Sequence, residues 1–355
     1  MTYFSDGFLT WLDDHAQILD SQSGTFANQL LNRIAAEDVF RIGVPESLGG
    51  RGGDKSQVIE FLAELAGHSL TASFVAWGHR TFIENILSSE NTYFRDTYLN
   101  DLFTGHLAGG TGLSNATKYL SNIEELNVSI IEENGQFYLE GTLPWVTNAR
   151  ADNFAAVFAA DFQDRPEKSP IILAIPSSVG IQRSKDLEFI SLQGANTAAL
   201  TFNKLPLDER WILSKDAKNF LAQTRPEFLG YQFGLATGLA QASLSEVETS
   251  LSSNRSVLTH EFETTKQQLE NIKKAVFEGI NQTNYFVQHP RELFQLRIDI
   301  VDIVANSLLL ELQASGGRGY FKHSPSAFAR RWNEGAFLPI VSPSAVQLRH
   351  ILAQS

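Results

Sequence analysis

Apolar side chains recur at helical spacing through residues 8–102, as at Leu30, Leu31 and Ile34 and again at Val58, Phe61, Leu62 and Leu65. Residues three and four apart share one helix face, so this part of the chain is predicted helical. It is interrupted by VPESLGGRGGD, residues 44–54, where Pro45 and Gly49, Gly50, Gly52 and Gly53 force a loop. Over residues 104–207 the pattern changes to short apolar or alternating runs separated by turn residues, at 127–131, at 137–140 after the Asn134-Gly135 turn, and at 154–160, 171–175 and 199–202. No helix-length segment separates these runs, which predicts a small antiparallel barrel or sandwich rather than a doubly wound sheet. Helical spacing resumes at residue 215, with long stretches at 220–251, 259–286 and 292–315, a glycine break at SGGRGY, and a short terminal helix at 343–353. The expected class is α+β: an N-terminal helical domain over 1–103, a middle β domain over 104–213 and a C-terminal helical bundle over 214–355.

Composition narrows the function classes. A chain of 355 residues that is 43% hydrophobic can bury a large core and has room for two or three domains. Its 28 basic and 40 acidic residues give a net charge of -12, which disfavours nucleic acid as a partner because phosphate binding needs a basic surface. The absence of cysteine excludes disulfides, a thiol nucleophile and thiolate metal sites. The eight histidines show no H-E-x-x-H or comparable spacing, so no metal is expected, and His68 and His79 are read as satisfied surface or core groups. The glycines at 49–53 do not follow a strand, which argues against a dinucleotide or phosphate loop. The acidic opening MTYFSDGFLTWLDDHAQ and the lack of any run of about 18 apolar residues lead to the expectation of a cytoplasmic protein without membrane association.

Five strings in order carry a resemblance. VPESLGGRGGD, GTLPWVTN at 141–148, SLQGANTAALTFNKLPLDERWIL at 191–213, GLATGLAQASL at 234–244 and QASGGRGY at 313–320 together resemble the acyl-CoA dehydrogenase superfamily over nearly the whole chain. That resemblance implies FAD held between the β domain and the C-terminal helices, an acyl-CoA or similar small-molecule substrate, and a homodimer or homotetramer.

Several residues then acquire expected roles. Trp145 and Thr147 lie two apart on a strand and therefore share a face. By resemblance Trp145 packs on the isoalloxazine and Thr147 bonds near its N5. AGGTGLSNA, residues 108–116, stands where the family has a flavin-contacting loop, with Thr111 and Ser114 as hydroxyl donors, although Gly112 and Leu113 replace the family's acidic residue and proline. Gln313, Gly316, Gly317 and Gly319 match a motif that reaches the adenosine half of FAD bound mainly by a neighbouring subunit. Arg255 occupies the place of a pyrophosphate-binding arginine, with Leu258 where the family pairs it with phenylalanine.

The family's dehydrogenation also needs a carboxylate that takes the α proton while hydride leaves to flavin. At the usual position this chain has Ile340 or Val341, depending on whether the count starts from Gln313 or Gln347, and both are expected to line a substrate pocket. A minority branch places its glutamate on the first C-terminal helix. The equivalent position here is Phe228, with Glu227 one residue, about 100° of helix, away as a candidate base. Three readings stay open: an acyl-CoA dehydrogenase with a relocated base, a flavin monooxygenase of the same fold, and a flavin- or acyl-binding partner protein without turnover.

Overall fold

The computed structural model describes residues 2–354 apart from 166, 252, 322, 323 and 325. The N-terminal helices are α1 (Asp6–Ser21), α2 (Thr25–Ala36), α3 (Lys55–His68), α4 (Leu70–Ser88) and α5 (Tyr93–Phe103). Local chemistry sets their starts. Ser5 caps α1 by accepting from Phe8 N, Asp54 and Gln57 form a reciprocal capping box on α3, and Ser69 accepts from Ala72 N at the head of α4. Helix α4 is buried on every face from Leu70 to Ile86, so each polar group on it needs a partner inside the protein. His79 finds two: Gly109 N donates to its Nδ1 at 2.9 Å and its Nε2 donates to Leu102 O at 2.8 Å. That arrangement requires the neutral ring, and burial lowers its pKa to about 3.

The middle region contains β1 (Ala108–Thr111), α6 (Leu113–Tyr119), β2 (Val128–Glu133), β3 (Gln136–Val146), β4 (Phe154–Phe162), β5 (Ile171–Pro176), β6 (Gln182–Arg183), β7 (Ala198–Pro206) and β8 (Ile212–Ser214). The strands run in the order β6-β7-β3-β2-β4-β5-β8, with β1 beside β4. Most neighbours are antiparallel, as expected, but β1 and β2 each pair parallel to β4. Long connections that include α6 and the β2–β3 hairpin bring the chain back in the same direction, which alternation along a strand cannot reveal. The expected loop at 108–116 is likewise a strand followed by a helix.

The C-terminal region is built from α7 (Ala217–Gly230), α8 (Gln232–Ser250), α9 (Thr259–Asn281), α10 (Tyr285–Gln288), α11 (Pro290–Ser315), α12 (Phe328–Gly335) and α13 (Ala345–Ala353). The single stretch expected over 220–251 divides at Tyr231, and the one over 259–286 ends early because Gln282 is extended, after which Asn284, with a left-handed φ of 59°, opens α10. Helix α8 packs between α3 and α11, joining the first and last thirds of the chain into one core. No helix among the described residues is long and apolar enough to cross a membrane.

Candidate active site

A cavity of about 540 Å³ lies where the three regions meet. One wall is aromatic and comes from helices. Phe74 and Trp77 on α4 stack with centroids 5.5 Å apart, Phe228 of α7 lies 5.1 Å from Trp77, and the Trp77 indole donates to Phe228 O at 3.2 Å. Strand β3 and its continuation supply the opposite wall. Val146 is buried in the β domain, while Trp145 and Thr147 on either side of it face the cavity, as the two-residue period requires. Thr111 reaches the same wall, bridged to Thr147. Neither hydroxyl has a hydrogen-bond partner among the described residues, and Trp145 leaves 51% of its surface uncovered. Ser114, on α6 rather than a loop, also lines the cavity, and its hydroxyl meets that of Ser342 at 2.7 Å.

The C-terminal segment closes the chamber with Phe337, Ile340, Val341 and Ser342. Both positions expected from the base count are therefore cavity residues: Val341 is buried and Ile340 is largely exposed. Glu227 is not a cavity residue. It forms an ion pair with Lys55 in a separate pocket between α3 and α9, while its neighbour Phe228 faces the cavity. The one-residue rotation along α7 decides this. Burial raises the Glu227 pKa and Lys55 opposes that shift. Among the described lining residues the only carboxylate is Glu188, exposed on the rim, and the only cation is Lys118, paired with Glu124 at 3.2 Å.

Behind Phe228 a second chamber of about 420 Å³ runs between α6, α7, α11 and α13. Its lining includes Lys218, Arg225, Thr117, Ser121 and Gln347 but no carboxylate. Arg225 stands over the Phe294 ring, its Nε has no hydrogen-bond partner among the described residues, and burial lowers its pKa. Such a cation is suited to an anionic ligand group. Phe74, Trp77, Phe228 and Arg225 were not singled out from sequence as ligand contacts. Their spacing is that of core positions, and only packing leaves one side of them open.

Arg255, Gln313, Gly316, Gly317 and Gly319 gather at the end of α11, away from both chambers. A side chain at Gly316 would begin 3.5 Å from the Arg255 guanidinium, so residues expected to serve two separate motifs are adjacent. The Gln313 amide is exposed and donates to Leu309 O.

No family model matches the chain. It is 22% identical over 325 residues to an acyl-CoA dehydrogenase of Bacillus subtilis, covering 87% of this chain and 85% of that protein. It is 22% identical over 253 residues to the mitochondrial short-chain specific acyl-CoA dehydrogenase of Rattus norvegicus, covering 70% of this chain and 60% of that protein. Among solved structures it matches a glutaryl-coenzyme A dehydrogenase complex with glutaryl-CoA at a TM-score of 0.80 and 16% identity, covering 99% of this chain and 95% of the other. The butyryl-CoA dehydrogenase of Megasphaera elsdenii matches at 0.80 and 16%, covering 99% and 98%. At that identity the structural matches establish the fold.

Proposed function

We propose that the chain, by its likeness to acyl-CoA dehydrogenases, is a member of that superfamily and an FAD-dependent oxidoreductase acting on an acyl group joined to an anionic carrier such as coenzyme A. The observation that carries this reading is the pair of adjoining chambers, one apolar and aromatic, the other holding Arg225, whose Nε has no partner among the described residues, which meet at Phe228.

The residues fit a flavin on the β wall. The open face of Trp145 offers a flat apolar surface, and the free hydroxyls of Thr111 and Thr147 offer hydrogen bonds beside it. When bound, the flavin supplies hydride acceptance or, once reduced, reaction with oxygen. Phe74, Trp77 and Phe228 exclude water and hold the acyl chain against that wall, while Arg225 and Lys218 attract the carrier's phosphates. Gln313, Gly316, Gly317, Gly319 and Arg255 would hold the adenosine half of a neighbour's FAD, which makes the working form a homodimer or homotetramer.

A second reading, a flavin-dependent monooxygenase, rests on one observation: the cavity wall presents Phe228, Ile340 and Val341, and its only carboxylate among the described residues is Glu188 on the rim, whereas α,β-dehydrogenation requires a carboxylate base. Oxygen chemistry does not need that base. Anaerobic mixing with a panel of acyl-CoAs, followed by a reduced-flavin supply with oxygen, separates the readings. Bleaching of the flavin by an acyl-CoA supports dehydrogenation, and product formed only with reduced flavin and oxygen moves the assignment to the monooxygenase. Turnover in neither arm would refute an oxidoreductase and leave a binding protein.

A further inference from the structure

Arg297 on α11 differs from the other deeply buried arginines. Arg80 faces Glu84 at 2.8 Å, Arg330 faces Glu334 at 2.9 Å, and Arg331 is paired with Glu311. Arg297 is as deeply buried, yet no carboxylate lies within ion-pair distance of it among the described residues. Its Nε donates to Gln232 Oε1 at 2.8 Å and its Nη2 to Leu338 O at 2.8 Å, while its Nη1 has no partner among the described residues. Because arginine can only donate, the Gln232 carbonyl must face it, which turns the Gln232 amide nitrogen toward Ser342 O at 2.9 Å. Arg297 thus holds residues 338–342 at both ends, directly at Leu338 and through Gln232 at Ser342. The side chains between and beside those points, Ile340, Val341 and Ser342, form the cavity wall.

An ion buried without a counter-ion is strongly disfavoured unless nearby dipoles or a ligand compensate it. The two carbonyls do so in part, and desolvation still draws the guanidinium pKa down to about 10. Lys118, the cation that lines the chamber itself, is already matched by Glu124.

We propose that the cavity is built for an occupant bearing an organic oxyanion against its 338–342 wall, with Arg297 as the positioning residue that clamps this wall and supplies the balancing charge. The inference rests on the cavity alone and stands whichever reaction the chamber hosts. Arg297 stands behind this wall rather than on it, and at an effective dielectric near 20 the attraction of such a cation favours an anion in the cavity by roughly tenfold.

The test compares octanoate with its near-isosteric neutral analogue octanamide by calorimetric binding to the protein as purified. Wild type is expected to bind octanoate roughly tenfold more tightly than octanamide, the factor set by the Coulomb interaction above. Arg297→Lys should keep that ratio, and Arg297→Met should bring it close to unity. A variant that retains the guanidinium guards against a folding failure. Gln232→Glu places a carboxylate on Arg297 Nε, and it should cancel the preference while the protein stays at least as stable as wild type. A purely structural Arg297 would change both affinities together. The proposal is overturned if wild type shows no preference, or if the ratio survives in Gln232→Glu or in a folded Arg297→Met.

Discussion

Replacing Gly238 with alanine tests the helix crossing that joins the two ends of the chain. Gly238 lies within α8, where helix propensity alone favours alanine by about 0.8–1.0 kcal/mol. In the fold, a Cβ at this position would sit 2.0 Å from Ala63 O and 2.8 Å from the Ala66 Cβ, whereas ordinary contact begins at 3.4 Å. The shortfall of 1.4 Å is against the backbone of α3, which cannot rotate aside, so the two helices must separate. Overpacking of this kind costs about 1–3 kcal/mol and occasionally more, and a backbone clash this short belongs at the upper end. Gly238→Ala should therefore lose about 2 kcal/mol net. Gly7 provides the control: it is exposed in α1 with nothing within 4 Å of an added Cβ, so Gly7→Ala should gain about 0.5 kcal/mol. Urea unfolding followed by helical circular dichroism reads both midpoints. If Gly238→Ala unfolds at the same or a higher midpoint than wild type, the close α3–α8 crossing is wrong.

Further outcomes are expected. Glu227→Gln should leave anaerobic flavin reduction unchanged while lowering stability through the lost Lys55 pair, and a large loss of reduction without loss of bound flavin would return Glu227 to the chemistry. Val341→Glu puts a carboxylate into the cavity wall, and flavin bleaching by acyl-CoA should rise by about a hundredfold to ten-thousandfold, the usual contribution of a general base, whereas an unchanged rate would show that the wall does not face the reacting carbon. The protein should take up FAD in preference to FMN and sediment as a dimer or tetramer. Equal uptake of FMN would remove the adenosine role of Gln313 to Gly319, and a monomer that holds FAD would remove its intersubunit role. Burial raises the Glu334 carboxyl from 4.5 to about 7 in the folded protein, so the fold binds its proton more tightly than the unfolded chain does, and this contribution to stability is present at acid pH and lost as pH rises through about 7. A stability profile between pH 5 and 8 whose slope does not change in Glu334→Gln would contradict that assignment.

What could be read from the sequence follows from local periodicity. The helical, β, helical order, the shared face of Trp145 and Thr147, and the different directions of Phe228 and Glu227 all depend on spacing within one element, and backbone geometry is the same wherever that element packs. The place of Ile340 and Val341 on the cavity wall was within reach for the same reason, since counting along the chain leads to both. Other features depend on segments far apart in sequence. The parallel pairing of β1 and β2 with β4 arises from where connections return, and the 108–116 string became a strand and a helix because β4 was available as a neighbour for β1. Arg225 and Arg297 read as ordinary helix arginines. Among the described residues neither is ion-paired, which is a property of what α6, α7, α8, α11 and the 338–342 segment leave beside them and appears only when those elements come together.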